Sequence, residues 1–141
     1  MKYKILIVDD SLPMRAVIKK TIRAAGYGNS DFFEAADGQE ALEKLNDDWI
    51  DIVLSDYNMP KMNGLELVKN MNTNEATSTI PILIISTESS KKKPEEFLKA
   101  GATGFIKKPF TPETIRAELI NILGEADYGD GDEESDDNFD F

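Results

Sequence analysis

The chain contains neither cysteine nor histidine. Their absence excludes disulfides, thiolate chemistry, zinc sites of the usual ligand types and any Ser-His or Cys-His nucleophile pair. It also means that the chain cannot itself carry a phosphohistidine. A cysteine-free composition fits a reducing compartment. Long apolar runs are missing too: the N-terminal one, Ile5 to Val8, is far too short for a secretory leader or a membrane span. The expectation is a cytoplasmic protein that does not insert into a membrane. There is no basic stripe either, so nucleic acid is not an expected partner. The 141 residues suffice for one domain with a proper core and are too few for two.

The formal net charge is −11, and it is unevenly spread. Nine of the 27 acids fall in residues 125–141, which hold no base, so residues 1–124 carry 18 acids against 16 bases. The body, residues 1–124, is nearly neutral, and residues 125–141 form an acidic tail. Many like charges and few apolar groups predict disorder for that tail. Its ending, Asn138-Phe139-Asp140-Phe141, is odd for a purely solubilising segment.

Lys4 to Val8 reads as a buried strand ended by Asp9-Asp10. Ser11 caps a helix that tolerates Pro13 in its first turn and runs to about Ala25, with Met14, Val17, Ile18 and Ile22 on one face. Asp31 to Ala35 is a second strand. Asp37 and Glu40 fit a capping box for a helix whose apolar side is Ala41, Leu42 and Leu45. Ile52 to Ser55 is a third strand, Gly64 to Met71 a third helix, and Ile82 to Ile85 a fourth strand. Ser89 or Ser90 caps a helix through Lys99, whose Lys91 to Lys93 form a solvated start. Gly104 to Lys107 is a fifth strand, and Thr111-Pro112-Glu113 opens a last helix closed by Gly124. Five strand–helix units in strict alternation, with strands that are apolar runs, predict an α/β fold: a five-stranded parallel sheet, doubly wound, with helices on both faces.

In a parallel sheet all strands point their C-terminal ends to one rim, so Asp9, Asp10, Asp56, Ser86 and Lys107-Lys108 are expected to share it. With strand order 2-1-3-4-5, the flavodoxin-like order, the ligand crevice lies between strands one and three, between Asp10 and Asp56. Three carboxylates brought together raise one another's pKa, and a hard divalent cation removes that penalty. Mg²⁺ suits them: it takes oxygen ligands and keeps waters that phosphate oxygens displace. Lys108 adds a point charge for a phosphoryl oxygen, and Ser86 adds a hydroxyl donor. Such a set can receive a phosphoryl group on a carboxylate as an acyl phosphate. Each member has a plainer role as well: Asp10 as a helix cap, Lys108 as a solvated rim lysine, Ser86 as a turn residue; Phe105, in the fifth strand, reads equally as core packing.

Taken together, Asp9-Asp10, Asp56 with Asn58-Met59-Pro60 and Gly64, Ser86, and Lys108-Pro109-Phe110 resemble the response-regulator receiver domain, and closely its single-domain CheY-like form, from Met1 to about Gly124. The resemblance implies that Asp56 is the phosphoacceptor. It implies Mg²⁺, or Mn²⁺, bound by Asp10, Asp56 and the main-chain carbonyl of Asn58, with Asp9 acting through water. It places Lys108 on the phosphoryl group, Ser86 at the switch hydroxyl and Phe105 at the switch aromatic position, where chemotaxis members carry Tyr. Asn58, Thr87 and Glu88 match positions that tune dephosphorylation, and the bond before Pro109 is expected to be cis. The implied function is that of a two-component response regulator without an output domain, a monomer phosphorylated by a histidine kinase and signalling by binding a partner. In chemotaxis the partner is the flagellar motor switch; in a phosphorelay shuttle it is a histidine phosphotransfer protein. The rival from another class is a Mg²⁺-dependent phosphatase or phosphotransferase with an Asp nucleophile. Those enzymes usually need a second carboxylate two residues after the nucleophile, and here that residue is Asn58. The chain is therefore expected not to be an enzyme, beyond assisting its own phosphorylation and dephosphorylation.

Overall fold

The computed structural model describes residues 2–87 and 94–124. Strands β1 (Lys4–Val8), β2 (Asp31–Ala35), β3 (Ile52–Asp56), β4 (Ile82–Thr87) and β5 (Gly104–Lys108) form one sheet in the order β2-β1-β3-β4-β5. Every neighbouring pair is parallel. Helices α1 (Leu12–Ile22), α2 (Gly38–Asp47), α3 (Gly64–Thr73), α4 (Pro94–Ala100) and α5 (Pro112–Leu123) alternate with the strands. The fold class is the expected doubly wound, flavodoxin-like one.

The apolar strands are explained by their two covered faces, since successive side chains point to opposite sides of a sheet. Leu6, Val8, Val53, Ile82 and Ile84 face Leu45, Leu67, Met71 and Phe97 of α2, α3 and α4. Ile5, Ile7, Ile52, Leu54, Leu83 and Ile85 face Ile18, Ile22, Ile115 and Leu119 of α1 and α5.

The helix starts follow from local side-chain acceptors. Ser11 accepts from Met14 N at 3.2 Å, Asp37 from Glu40 N at 2.8 Å and Thr111 from Thr114 N at 3.2 Å. Glu40 reaches back to Ala36 N at 3.0 Å, one residue before the cap, so the box at α2 is incomplete. The complete capping box is at α3, between Asn63 and Glu66, with both bonds at 2.9 Å.

Three boundaries differ from expectation in a way that matters. β3 runs on to Asp56, β4 to Thr87 and β5 to Lys108. Asp56, Ser86 and Lys108 are thereby held in hydrogen-bonded strands rather than on free loops. α1 is shorter than expected: it ends at Ile22 and widens into a π-helical turn, Arg23–Tyr27, where Gly26 takes a φ of 103° that residues with a Cβ rarely adopt. That turn buries Tyr27, whose hydroxyl donates to the Gly124 carbonyl at 2.7 Å. Val17 is 40 % exposed rather than core, because α1 meets the sheet through Ile18 and Ile22 while Val17 borders a groove toward Pro109. The expected cap at Ser89 or Ser90, Lys91 to Lys93, and the acidic tail lie outside the described residues.

Candidate functional site

The rim at the C-terminal ends of β1, β3 and β5 gathers the charged residues. Asp9 follows the last residue of β1 and is 2 % exposed. Its amide donates to the Ala35 carbonyl at 3.0 Å, and its Oδ1 accepts from Ser11 N at 2.8 Å. Its Oδ2 is buried without a hydrogen-bond partner, 3.9 Å from Lys108 Nζ. Asp56, the last residue of β3, is buried too, and its Oδ1 accepts from Lys108 Nζ at 3.0 Å. Asp10 stands exposed beside them, and a carboxylate oxygen from each of Asp9, Asp10 and Asp56 lies within 4.8 Å of the others.

Burial is the main force on this cluster. It pushes the Asp9 carboxyl up from its ordinary value, with Asp56 and Asp10 adding to the rise and the Ser11 amide and Lys108 opposing it. It pushes Asp56 up as well, against the hydrogen bond and charge of Lys108. Two buried carboxylates served by one ammonium leave negative charge uncompensated. The oxygen donors, their spacing and the orphaned Asp9 Oδ2 fit a hard cation such as Mg²⁺ or Mn²⁺, which would give that oxygen a partner.

The other predicted residues surround the cluster. Asn58 lies exposed two residues beyond Asp56, at the start of the loop to α3. Gly64 closes that loop: its amide donates to Tyr57 O at 2.8 Å, and a Cβ there would stand 2.7 Å from the Asp56 carbonyl oxygen. Ser86 is buried in β4, paired in register with Lys107, and its hydroxyl donates to the Thr87 carbonyl at 3.4 Å. Thr87 pairs with Lys108 and lines the groove beside it. The Lys108–Pro109 bond is cis. Phe105 is partly buried on the α2–α4 side of the sheet. Glu88 lies outside the described residues.

Sequence reasoning missed two features. One is an aromatic chain leading from the residue after Asp56 to Phe105. The rings of Tyr57 and Phe97 are 5.4 Å apart and tilted, and those of Phe97 and Phe105 are 5.7 Å apart and stacked. The other is a groove of about 420 Å³ between α1 and the segment that follows β5, bordered by Met14, Val17, Thr87, Lys108, Pro109 and Phe110. Part of the signal for the groove was present: Pro109-Phe110 directly follows a rim lysine.

Comparison with known proteins agrees with this geometry. The family model for the response regulator receiver domain matches residues 5–120. The chain is 44 % identical over 126 residues to chemotaxis protein CheY1 of Helicobacter pylori, covering 88 % of this chain and 99 % of that protein. It is 42 % identical over 123 residues to a chemotaxis CheY homologue of Campylobacter jejuni, covering 86 % and 92 %. The crystal structure of the chemotaxis protein CheY4 of Vibrio cholerae is similar with a TM-score of 0.76 and 41 % identity, over 87 % of this chain and all of that one. With the family's fold, its acidic rim and a match over most of the sequence, the chain belongs to the response regulator receiver domains of two-component signalling, in their CheY-like form.

Proposed function

We propose that Asp56 accepts a phosphoryl group from the phosphohistidine of a partner kinase and that the modified chain signals, in chemotaxis, by binding an output protein. The observation that carries this is the pairing of Asp56 with Lys108 inside a cluster of three carboxylates, one of which has an unpartnered buried oxygen. An Asp56 carboxylate oxygen forms the new bond to phosphorus as the donor's imidazole nitrogen leaves with the electron pair of the old one. Lys108, already on Asp56 Oδ1, is placed to turn its ammonium to the incoming phosphoryl oxygens. Bound Mg²⁺, or Mn²⁺, would neutralise charge on those oxygens. Asp10, Asp56, the main-chain carbonyl of Asn58 and, through water, Asp9 would hold it.

Phosphorylation replaces one carboxylate charge by a dianion, which calls for further donors. The Ser86 hydroxyl, bonded only weakly to its neighbour at 3.4 Å, is the one to be recruited. Moving the end of β4 loosens the packing around Phe105, whose ring rests on Phe97 of α4. Phe105 lacks a hydroxyl, so its change of position is read by packing alone. The groove beside Lys108, with exposed Val17 at its border, gives the donor an apolar surface next to the phosphoacceptor. Asn58, Thr87 and Glu88 tune loss of the phosphoryl group.

Chemotaxis is favoured because the Helicobacter and Campylobacter relatives are chemotaxis proteins that this chain matches over 99 % and 92 % of their length. The flagellar motor switch is the output partner we assign, and the cytoplasm the compartment. No described helix is long and apolar enough to cross a membrane. We assign no catalytic turnover of an outside substrate, since the acid/base position two residues after Asp56 is held by Asn58.

The test is transfer of labelled phosphoryl from a panel of purified, autophosphorylated histidine kinases. Transfer from at least one kinase, stopped by EDTA, is expected. Transfer from none, or transfer indifferent to EDTA, would contradict the proposal.

A further inference from the structure

Arg15 stands near the N-terminus of α1, where the helix dipole opposes a cation. It is nonetheless held firmly. Its Nε donates to Glu34 Oε1 at 2.8 Å, and its Nη1 donates to the main-chain carbonyl of Asp9 at 2.6 Å. Lys19, one turn further along α1, donates to the other Glu34 oxygen at 2.7 Å. The Asp9 amide is bonded to Ala35, the neighbour of Glu34 on β2. Residue 9 is thus tied to β2 at both its amide and its carbonyl, the second time through Arg15.

We propose that Arg15 and Glu34 are positioning residues for the cation site. Arg15 fixes the carbonyl of Asp9 and with it the turn that presents Asp9 and Asp10. Glu34 fixes Arg15 and offsets its charge, which keeps the guanidinium from turning to the carboxylates and competing with the cation. The proposal rests on the cation-binding role assigned above to Asp9 and Asp10.

The physical chemistry supports a competition. Arg is charged at all working pH values, and its fork suits carboxylates. Arg15 already touches the main chain of Asp9, whose carboxylate is grouped with those of Asp10 and Asp56 around a single ammonium, that of Lys108. The bonds from Lys19 and then Arg15 hold the Glu34 carboxyl below its ordinary range, so Glu34 stays ionised at neutral pH. Partly exposed ion pairs contribute little to stability, so changing this one should leave the protein folded.

The experiment is calorimetric titration of the full chain with Mg²⁺ alone, comparing wild type with Glu34→Gln, Glu34→Asp and the double variant Arg15→Gln/Glu34→Gln. Glu34→Gln is expected to weaken Mg²⁺ binding about fivefold, through the repulsion and competition of a freed cation. That ratio should shrink in high salt, which screens the freed charge. Glu34→Asp keeps the carboxylate and should stay within about twofold of wild type. The double variant removes the competing charge and should recover part of the Glu34→Gln loss. Unchanged affinity in Glu34→Gln overturns the proposal. A double variant as weak as Glu34→Gln would place the effect in the shape of β2 and overturn the competition. A wild type that binds no Mg²⁺ overturns the reading of the acidic site itself, and this inference with it; binding in wild type with equal binding in Glu34→Gln overturns this inference alone.

Discussion

At the N-terminal ends of the strands, polar groups find partners close by. Asp51 Oδ2 accepts from Lys4 N at 2.7 Å, and Thr103 Oγ1 accepts from Ile82 N at 3.1 Å. The hydroxyls of Tyr3 and Tyr27 donate to the carbonyls of Leu123 and Gly124 at 2.8 and 2.7 Å, which fastens the end of α5. At the C-terminal ends of the same strands, Asp9 Oδ2 is buried without a partner, and burial raises the pKa of Asp9 and Asp56. Among the described residues, the one buried side-chain oxygen without a hydrogen-bond partner thus lies at the C-terminal edge of the sheet, beside the two carboxyls that burial raises. The lesson is that the rim is held in an unfavourable state by a core and a base that have no part in the chemistry. The rim's excess negative charge is what a bound cation can relieve.

The largest effect on stability is expected in the core that supports both edges. Phe97 is fully buried and lies between Tyr57 and Phe105. Phe97→Ala should cost about 3–5 kcal/mol, read from urea denaturation. A loss near zero would mean that the ring does not brace the rim.

At the rim the sign should reverse. Removing the charge of Asp9 should stabilise the cation-free protein at pH 7, by about 1–3 kcal/mol if the orphaned oxygen bears its full desolvation cost. The pH dependence follows from the raised carboxyls. Where the native state binds more protons than the unfolded one, stability falls as pH rises. For Asp9 and Asp56 that window opens at the ordinary value of 3.8 and extends upward to their raised native values. The apo protein should therefore gain stability from these two groups as pH falls from neutral into that window. Glu34 works the other way, its contribution being present above 4.5 and lost as pH falls through its lowered native value. Asp9→Asn should gain less over wild type as pH drops, and none once Asp9 is protonated in both states. Thermal melts across pH check this; a destabilised Asp9→Asn apo protein at pH 7 would remove the contrast between the two edges.

A smaller effect is expected at the base. Tyr27→Phe deletes the hydroxyl on Gly124 and should cost about 1 kcal/mol, with phosphorylation of Asp56 unchanged. A phosphorylation defect there would show that the edges are not separate. The smallest effect is expected from deleting residues 125–141. Their composition offers little apolar surface to offset ordering entropy, so the melting temperature should hold. A fall of several degrees would show that Phe139 or Phe141 docks on the domain.

Much of this was legible from residue order. Apolar runs bounded by breakers located the strands, and strict alternation with helices made the sheet parallel. A parallel sheet then puts Asp9, Asp10, Asp56, Ser86 and Lys108 on one rim whatever the details of packing. What was not legible depends on register between elements. Phe97 and Leu98 are neighbours of similar character in a short helix, yet one is fully buried and the other is 50 % exposed. Arg15 and Glu34 are 19 residues apart on different elements, and only the placing of α1 over β2 joins them. Val17 fits the apolar stripe of α1 by spacing, but the helix presents it to a groove.

The central claim is that Asp56 receives the phosphoryl group. Its most direct test is the intact mass of the full chain after incubation with Mg²⁺ and a small acyl phosphate donor, for wild type and for Asp56→Asn. One phosphoryl group on the wild type, absent without Mg²⁺ and absent from Asp56→Asn, is the predicted result. A lasting adduct on Asp56→Asn, or none on the wild type, would contradict it.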